Sequence, residues 1–139
     1  MNHQPVVWVI DDNKADRTIF SVLLEEMEVF SEIRQFNSGS SLIDYLDTDA
    51  LNLDEVRLLV FCDSFMGVES GEIVLSQIAM KTKPDHRYHV LMSGVMWEEE
   101  DWKQADTIDD FMEKQSNLDS FRNELNRVYA AAMNKLFPD

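Results

Sequence analysis

The apolar positions of this chain fall into two periods. Val6-Val7-Trp8-Val9-Ile10 and Leu58-Leu59-Val60-Phe61-Cys62 are apolar without a break, and Val90-Leu91-Met92 continues from His89 in the same way. Short unbroken runs rich in branched and aromatic residues predict strands buried on both faces. Residues 33–36 and 110–113 predict two weaker strands, the first of them at an edge of the sheet. Between the strands the apolar spacing lengthens to three and four residues, the helical period. Ile19, Phe20, Leu23, Leu24, Met27 and Phe30 mark one helix, with Asn13 and Asp16 as cap candidates ahead of it. Leu42, Ile43 and Leu46 mark a second after the turn Asn37-Ser38-Gly39-Ser40. Ile73, Val74, Ile78 and Met80 mark a third, beginning at Gly71. Residues 98–105 read as a short, very acidic helix containing Trp102 and flanked by Trp97. Leu118, Phe121, Leu125, Val128, Ala132 and Leu136 mark a long final helix. Residues 47–55 and 81–87 read as surface loops.

Strand and helix therefore alternate five times. That alternation predicts an α/β protein with a parallel sheet, helices on both faces and right-handed crossovers. The expected architecture is a flavodoxin-like, doubly wound (βα)5 fold with strand order 2-1-3-4-5. Residues 1–139 are expected to form a single domain with no separate output domain.

Composition narrows the function. Hydrophobic residues make up 45% of the chain, enough for a real core. Twenty-seven acidic residues against twelve basic ones leave a net charge of −15. This argues against nucleic acid and against anionic membrane surfaces, both of which call for Lys and Arg. It favours solubility, and a solvated surface is the first reading of it, with a basic partner as the alternative. The single cysteine, Cys62, lies within an apolar strand and reads as a small buried hydrophobe. With no secretory leader pattern at the start and no membrane-length apolar run, a cytoplasmic setting is expected.

The chemistry lies where the strands end. The first strand ends at Asp11 and Asp12, the third at Asp63, the fourth at Ser93 and the fifth at Lys114. In a parallel sheet these ends share one rim, and with the first strand beside the third the three carboxylates meet at the topological switch point. Three carboxylates in one pocket repel unless a cation intervenes. Mg²⁺ suits an incomplete carboxylate cage completed by water. The pocket could then accept a phosphoryl group, with Asp63 as nucleophile, Lys114 and the metal as positive charge, and Ser93 as hydroxyl donor.

With these residues in place, the sequence resembles the receiver domains of two-component response regulators from Val6 to about Phe137. The resemblance rests on the pair Asp11-Asp12, on Asp63 with Met66 three and Gly71 eight residues later, on the hydroxyl of Ser93, and on Phe111-Met112-Glu113-Lys114. It implies that Asp63 is phosphorylated by a histidine kinase or a histidine phosphotransfer protein. It implies that Asp12, Asp63 and the backbone carbonyl of Phe65 bind Mg²⁺ directly, with Asp11 acting through water. It implies that Lys114 pairs with the carboxylate or the phosphoryl oxygens, and that Ser93 and Phe111 move together as a switch. The output of such a protein would be contact with a downstream target protein, through a face for which Trp97, Trp102, Phe111 and Arg122 are the candidates, although for the two tryptophans packing beneath the short helix is the preferred reading.

The sequence departs from that family at two prolines. Gly67 takes the place of the one after the loop methionine, which should loosen the loop. Gln115 takes the place of the one after the lysine, where a trans bond is expected because cis is costly without proline. Phe65 and Val95, two residues after Asp63 and Ser93, are apolar and cannot orient an attacking water, so slow self-hydrolysis is expected. Two other readings compete: a degenerate receiver acting as an interaction module, and a Mg²⁺-dependent aspartate-nucleophile phosphohydrolase. Enzymes of the latter kind usually carry a second acid two residues after the nucleophile, where this chain has Phe65.

Overall fold

The computed structural model describes residues 3–48, 53–95, 98 and 105–138. Of the expected short helix at 98–105, residues 99–104, with Trp102 and the flanking Trp97, lie outside the described residues. Strands β1 (Val6–Ile10), β2 (Glu32–Phe36) and β3 (Leu58–Asp63) are followed by the two-residue strands β4 (Phe65–Met66) and β5 (Glu69–Ser70). Strands β6 (Arg87–Ser93) and β7 (Asp110–Glu113) come next. The helices are α1 (Lys14–Met27), α2 (Gly39–Leu46), α3 (Gly71–Ala79) and α4 (Leu118–Leu136). The main sheet is parallel in the order β2-β1-β3-β6-β7, while β4 and β5 form a small antiparallel ribbon of their own. With that ribbon set aside, this is the expected order 2-1-3-4-5.

The period of two along each central strand divides the core into two layers. Val7, Val9, Leu59, Phe61, Val90, Met92 and Met112 pack under α1 and α4. Trp8, Ile10, Val60, Cys62, Leu91 and Phe111 pack under α2 and α3. Phe20 joins the first layer, its ring edge-on to Phe61 at 4.8 Å and to Phe121 at 5.0 Å. Every residue of β3 and of β6 is buried, the polar Arg87, His89 and Ser93 of β6 included.

Several details differ from the sequence reading. Ile19 and Ile73 sit at helical spacing but are exposed, and Leu75 is buried in α3 instead. Met80 lies just beyond α3 and is exposed. Leu53–Glu55 form a 3-10 turn, and Leu53 is buried in what reads as an acidic surface loop. Pro84–His86 form another such turn ahead of β6, with Pro84 in its first turn, where a missing N–H costs nothing.

Gly67 stands in a tight turn. It and Val68 are the two central residues of the β4–β5 hairpin, and Gly67 has φ +66°. A positive φ at the first central residue alone is the pattern of a type II′ turn, which glycine adopts without strain and proline cannot adopt at all.

Candidate functional site

The register of the sheet builds the site. Ile10 pairs with Cys62, so Asp11 and Asp63 leave the sheet at the same level. Asp63 pairs with Met92, and Ser93 pairs with Glu113, which places Ser93 and Lys114 next along the rim. Alternation then sorts these residues by face. Asp11, Asp63 and Lys114 continue the α1/α4 series of Val9, Phe61 and Met112. Ser93 and Phe111 belong to the opposite series, with Leu91.

The acidic side chains converge as expected. Asp11, Asp12 and Asp63 each present an oxygen within 4.8 Å of the others. Asp11 and Asp63 are buried, and Asp12 is exposed. Lys114 spans the cluster: its Nζ lies 2.8 Å from Asp11 Oδ2, 3.2 Å from Asp63 Oδ2 and 3.0 Å from Asp16 Oδ2. Asp11 Oδ1 accepts the backbone N–H of Asn13 at 2.9 Å, so both of its oxygens are engaged. Asp16 was expected only as a cap candidate. Asn13 is the cap residue of α1, its Oδ1 accepting from Asp16 N, and Asp16 turns its carboxylate into the pocket.

The donor set fits a hard divalent cation. Carboxylate oxygens are its preferred ligands, and oxygens about 2.1 Å from an octahedral ion stand at most about 4.2 Å apart. At most one pair of the three can stand opposite in that way, and neighbouring ligands stand about 3.0 Å apart, so oxygens within 4.8 Å of one another must draw together by side-chain rotation to share one ion. The Lys114 ammonium already marks where positive charge is wanted. Burial by itself would lower the Lys114 pKa. Hydrogen bonds donated to Asp11 and Asp16, with the charges of Asp11 and Asp63, outweigh burial and raise it.

Asp63 is held above the usual carboxylate range. Burial is the main cause, Asp11 adds to it, and Lys114 opposes it. The folded state therefore holds this proton more tightly than the unfolded chain does. Stability from Asp63 is fully present below the unfolded pKa and is lost as pH rises through the folded one. At pH 7 the ionised group thus weighs against the fold. Asp63→Asn should raise the melting temperature of the metal-free protein by about 3 °C, because Lys114 keeps Asp11 and Asp16. Thermal unfolding in chelator checks this, and a lower melting temperature would contradict it.

Ser93 is buried, and its Oγ accepts the backbone N–H of Val95 at 3.2 Å, leaving its own hydrogen to donate. Phe111 is 8% exposed and packs in the α2/α3 layer, so in this structure its ring already points inward. Arg122 pairs with Glu26 of α1 at 3.2 Å, which places it on the α1 side of α4, away from the β7 edge and Phe111. Phe65 and Val95, both apolar, stand exposed on the rim, and Phe65 N donates to Asp63 Oδ1 over 3.5 Å.

Backbone contacts hold this geometry without the two prolines. No cis peptide bond occurs among the described residues, so Lys114–Gln115 is trans as expected. Gln115 Nε2 donates to the carbonyl of Glu113 at 2.7 Å, and Lys114 N donates to the carbonyl of Ser93 at 2.8 Å. Glu69, which the sequence reading passed over, ties the β4–β5 ribbon to α2. Its carboxylate accepts the N–H groups of Gly39 and Ser40 at 2.9 and 2.8 Å, the free donors of a helix start.

The architecture is that of response-regulator receiver domains. A two component response regulator from Cytophaga hutchinsonii matches with a TM-score of 0.76 at 18% identity, over 94% of this chain and 98% of that one. Chemotaxis response regulator CheY4 of Vibrio cholerae matches at 0.69 and 16% identity, over 90% and 98%. Response regulator protein TrrA from Thermotoga maritima, in complex with Mg(2+)-BeF, matches at 0.63 and 23% identity, over 90% and 99%. No protein-family model and no curated protein matches the sequence. At these identities the likeness is one of fold.

Proposed function

We propose that the protein is a phospho-accepting receiver that takes a phosphoryl group on Asp63 from the phosphohistidine of a histidine kinase or phosphotransfer protein. The observation that carries this reading is the meeting of Lys114 with Asp11 and Asp63, brought from three strand ends to within 3.2 Å of one ammonium. A carboxylate oxygen of Asp63 attacks phosphorus in line. The P–N bond to the donor imidazole breaks, its electron pair returns to nitrogen, and an acyl phosphate forms. Lys114 neutralises charge on the transferring oxygens, and the Ser93 hydroxyl donates to one of them. Asp12, Asp63 and the Phe65 carbonyl would hold Mg²⁺, with Asp11 behind it, and when bound Mg²⁺ supplies positive charge to the same oxygens. Movement of Ser93 toward the phosphoryl group, with Phe111 behind it, would bias a protein-contact face for a downstream target. In this reading the protein is a cytoplasmic signalling partner, and it turns over no substrate of its own. No helix among the described residues is long and apolar enough to cross a membrane.

Incubation with Mg²⁺ and a small phosphodonor, followed by intact mass, tests this. One added phosphoryl group is expected, absent without Mg²⁺ and in Asp63→Asn, and persisting after donor removal because Phe65 and Val95 offer no polar group to an attacking water. No addition supports the interaction module instead. Phosphate release over many turnovers supports the hydrolase.

A further inference from the structure

Lys114 makes three ion pairs, and the receiver reading accounts for two. The third partner, Asp16, is not one of the three carboxylates that could share a cation. Its place is nonetheless fixed by the same turn that places Asp11. Asn13 N donates to Asp11 Oδ1 and Asn13 Oδ1 accepts from Asp16 N, both at 2.9 Å. Arg17 Nη1 donates to the carbonyl of Asp11 at 2.7 Å. Asp11 and Asp16 therefore flank Lys114 as one unit, Asp11 from the sheet and Asp16 from α1.

An ammonium and a divalent cation want the same oxygens here. Were Asp11 and Asp63 the sole partners of Lys114, a cation drawn to the same carboxylates would compete with both ion pairs and stand beside a half-buried ammonium with no other partner. Asp16 is the partner that the cation does not need. We propose that Asp16 is a positioning residue for Lys114, holding the ammonium on the α1 side of the pocket while a divalent cation takes the other carboxylates. The inference rests on the receiver reading. It adds a residue whose effect passes through the lysine: Asp16 lets cation and ammonium occupy the pocket together, so that both face the phosphoryl oxygens.

A double-mutant cycle on metal affinity separates this from a general effect of charge. Mg²⁺ is titrated calorimetrically into the full chain without phosphodonor. Asp16→Asn should weaken Mg²⁺ binding by about fivefold when Lys114 is present and by less than about twofold when it is Met. Lys114→Met alone should tighten binding by removing the competing ammonium, and Asp16→Glu should restore most of the wild-type affinity. Equal weakening in both lysine backgrounds would mean that Asp16 acts as a distant charge, and no weakening would mean that it does not act; either overturns the inference and leaves the receiver reading standing. Absence of Mg²⁺ binding in the wild-type protein overturns the receiver reading, and this inference with it.

Discussion

Gly71→Ala is expected to lower the free energy of unfolding by about 3 kcal/mol and to slow phosphoryl uptake by about a hundredfold. A Cβ on Gly71 would fall well inside van der Waals contact of the Asp63 carbonyl oxygen, 2.9 Å from its carbonyl carbon and 3.0 Å from Leu91 Cδ1. The obstacle is backbone, and backbone cannot rotate aside as a side chain can. Gly71 N also donates to the carbonyl of Ser64 at 3.1 Å, so the start of α3 is stitched to the residue after the acceptor. An added methyl must push α3 away from the end of β3, and Asp63 moves with that end. Urea unfolding gives the first effect and the rate of mass gain gives the second. A Gly71→Ala protein as stable and as fast as wild type would show that the close approach is not needed. Gly71, eight residues after Asp63, thus leaves no room for a Cβ against the end of β3.

The second large effect is an acid sensitivity set by His89. This side chain is fully buried in β6 among the α2/α3-facing residues. Its Nδ1 lies 2.8 Å from the carbonyl of Thr107 and donates to it, while Nε2 has no partner among the described residues. Burial lowers its pKa from 6.5 to about 4, against the Thr107 bond and the charge of Asp109, which work to raise it. Below pH 6.5 the unfolded chain takes up this proton and the folded chain does not, so stability falls as pH drops. The loss is complete once pH passes the folded value, about 4. At about 1.4 kcal/mol per pH unit, that interval amounts to about 3 kcal/mol. Denaturant unfolding at pH 7, 5.5 and 4.5 should show a steep decline in the wild-type protein and a shallower one in His89→Leu. The readout is the difference in slope, since the variant also changes packing and drops the Thr107 bond. Equal slopes would mean that His89 does not carry this dependence.

The sheet was legible because its central strands are unbroken apolar runs, and the rim because each run stops at a polar residue. Once β1 and β3 are neighbours, the period of two sends Asp11, Asp63 and Lys114 to one side and Ser93 and Phe111 to the other. Asp16 was not legible as a member of the site. An acid in the first turn of a helix has an ordinary reason to be there, and only the approach of the loop after β7 brings a lysine to it. Ile19 and Ile73 show the limit of periodicity, since an apolar residue at helical spacing can still sit on the edge of the stripe, in solvent. Gly67 was ambiguous for a different reason: glycine marks both open loops and tight turns, and the turn shows only in the pairing of Phe65 with Ser70. Gly71 could be read as the start of a helix, but its contact with the Asp63 carbonyl belongs to tertiary structure alone.

The central claim is that these strand ends make one reactive aspartyl oxygen, and locating an acyl phosphate tests it most directly. Protein treated with phosphodonor and Mg²⁺ is reduced with borohydride, which converts a phosphorylated aspartate to homoserine, and the peptides are sequenced by mass spectrometry. Homoserine at position 63, and at no other acidic position, is the expected result. Homoserine at Asp11, Asp12 or Asp16, or at none, would contradict the account.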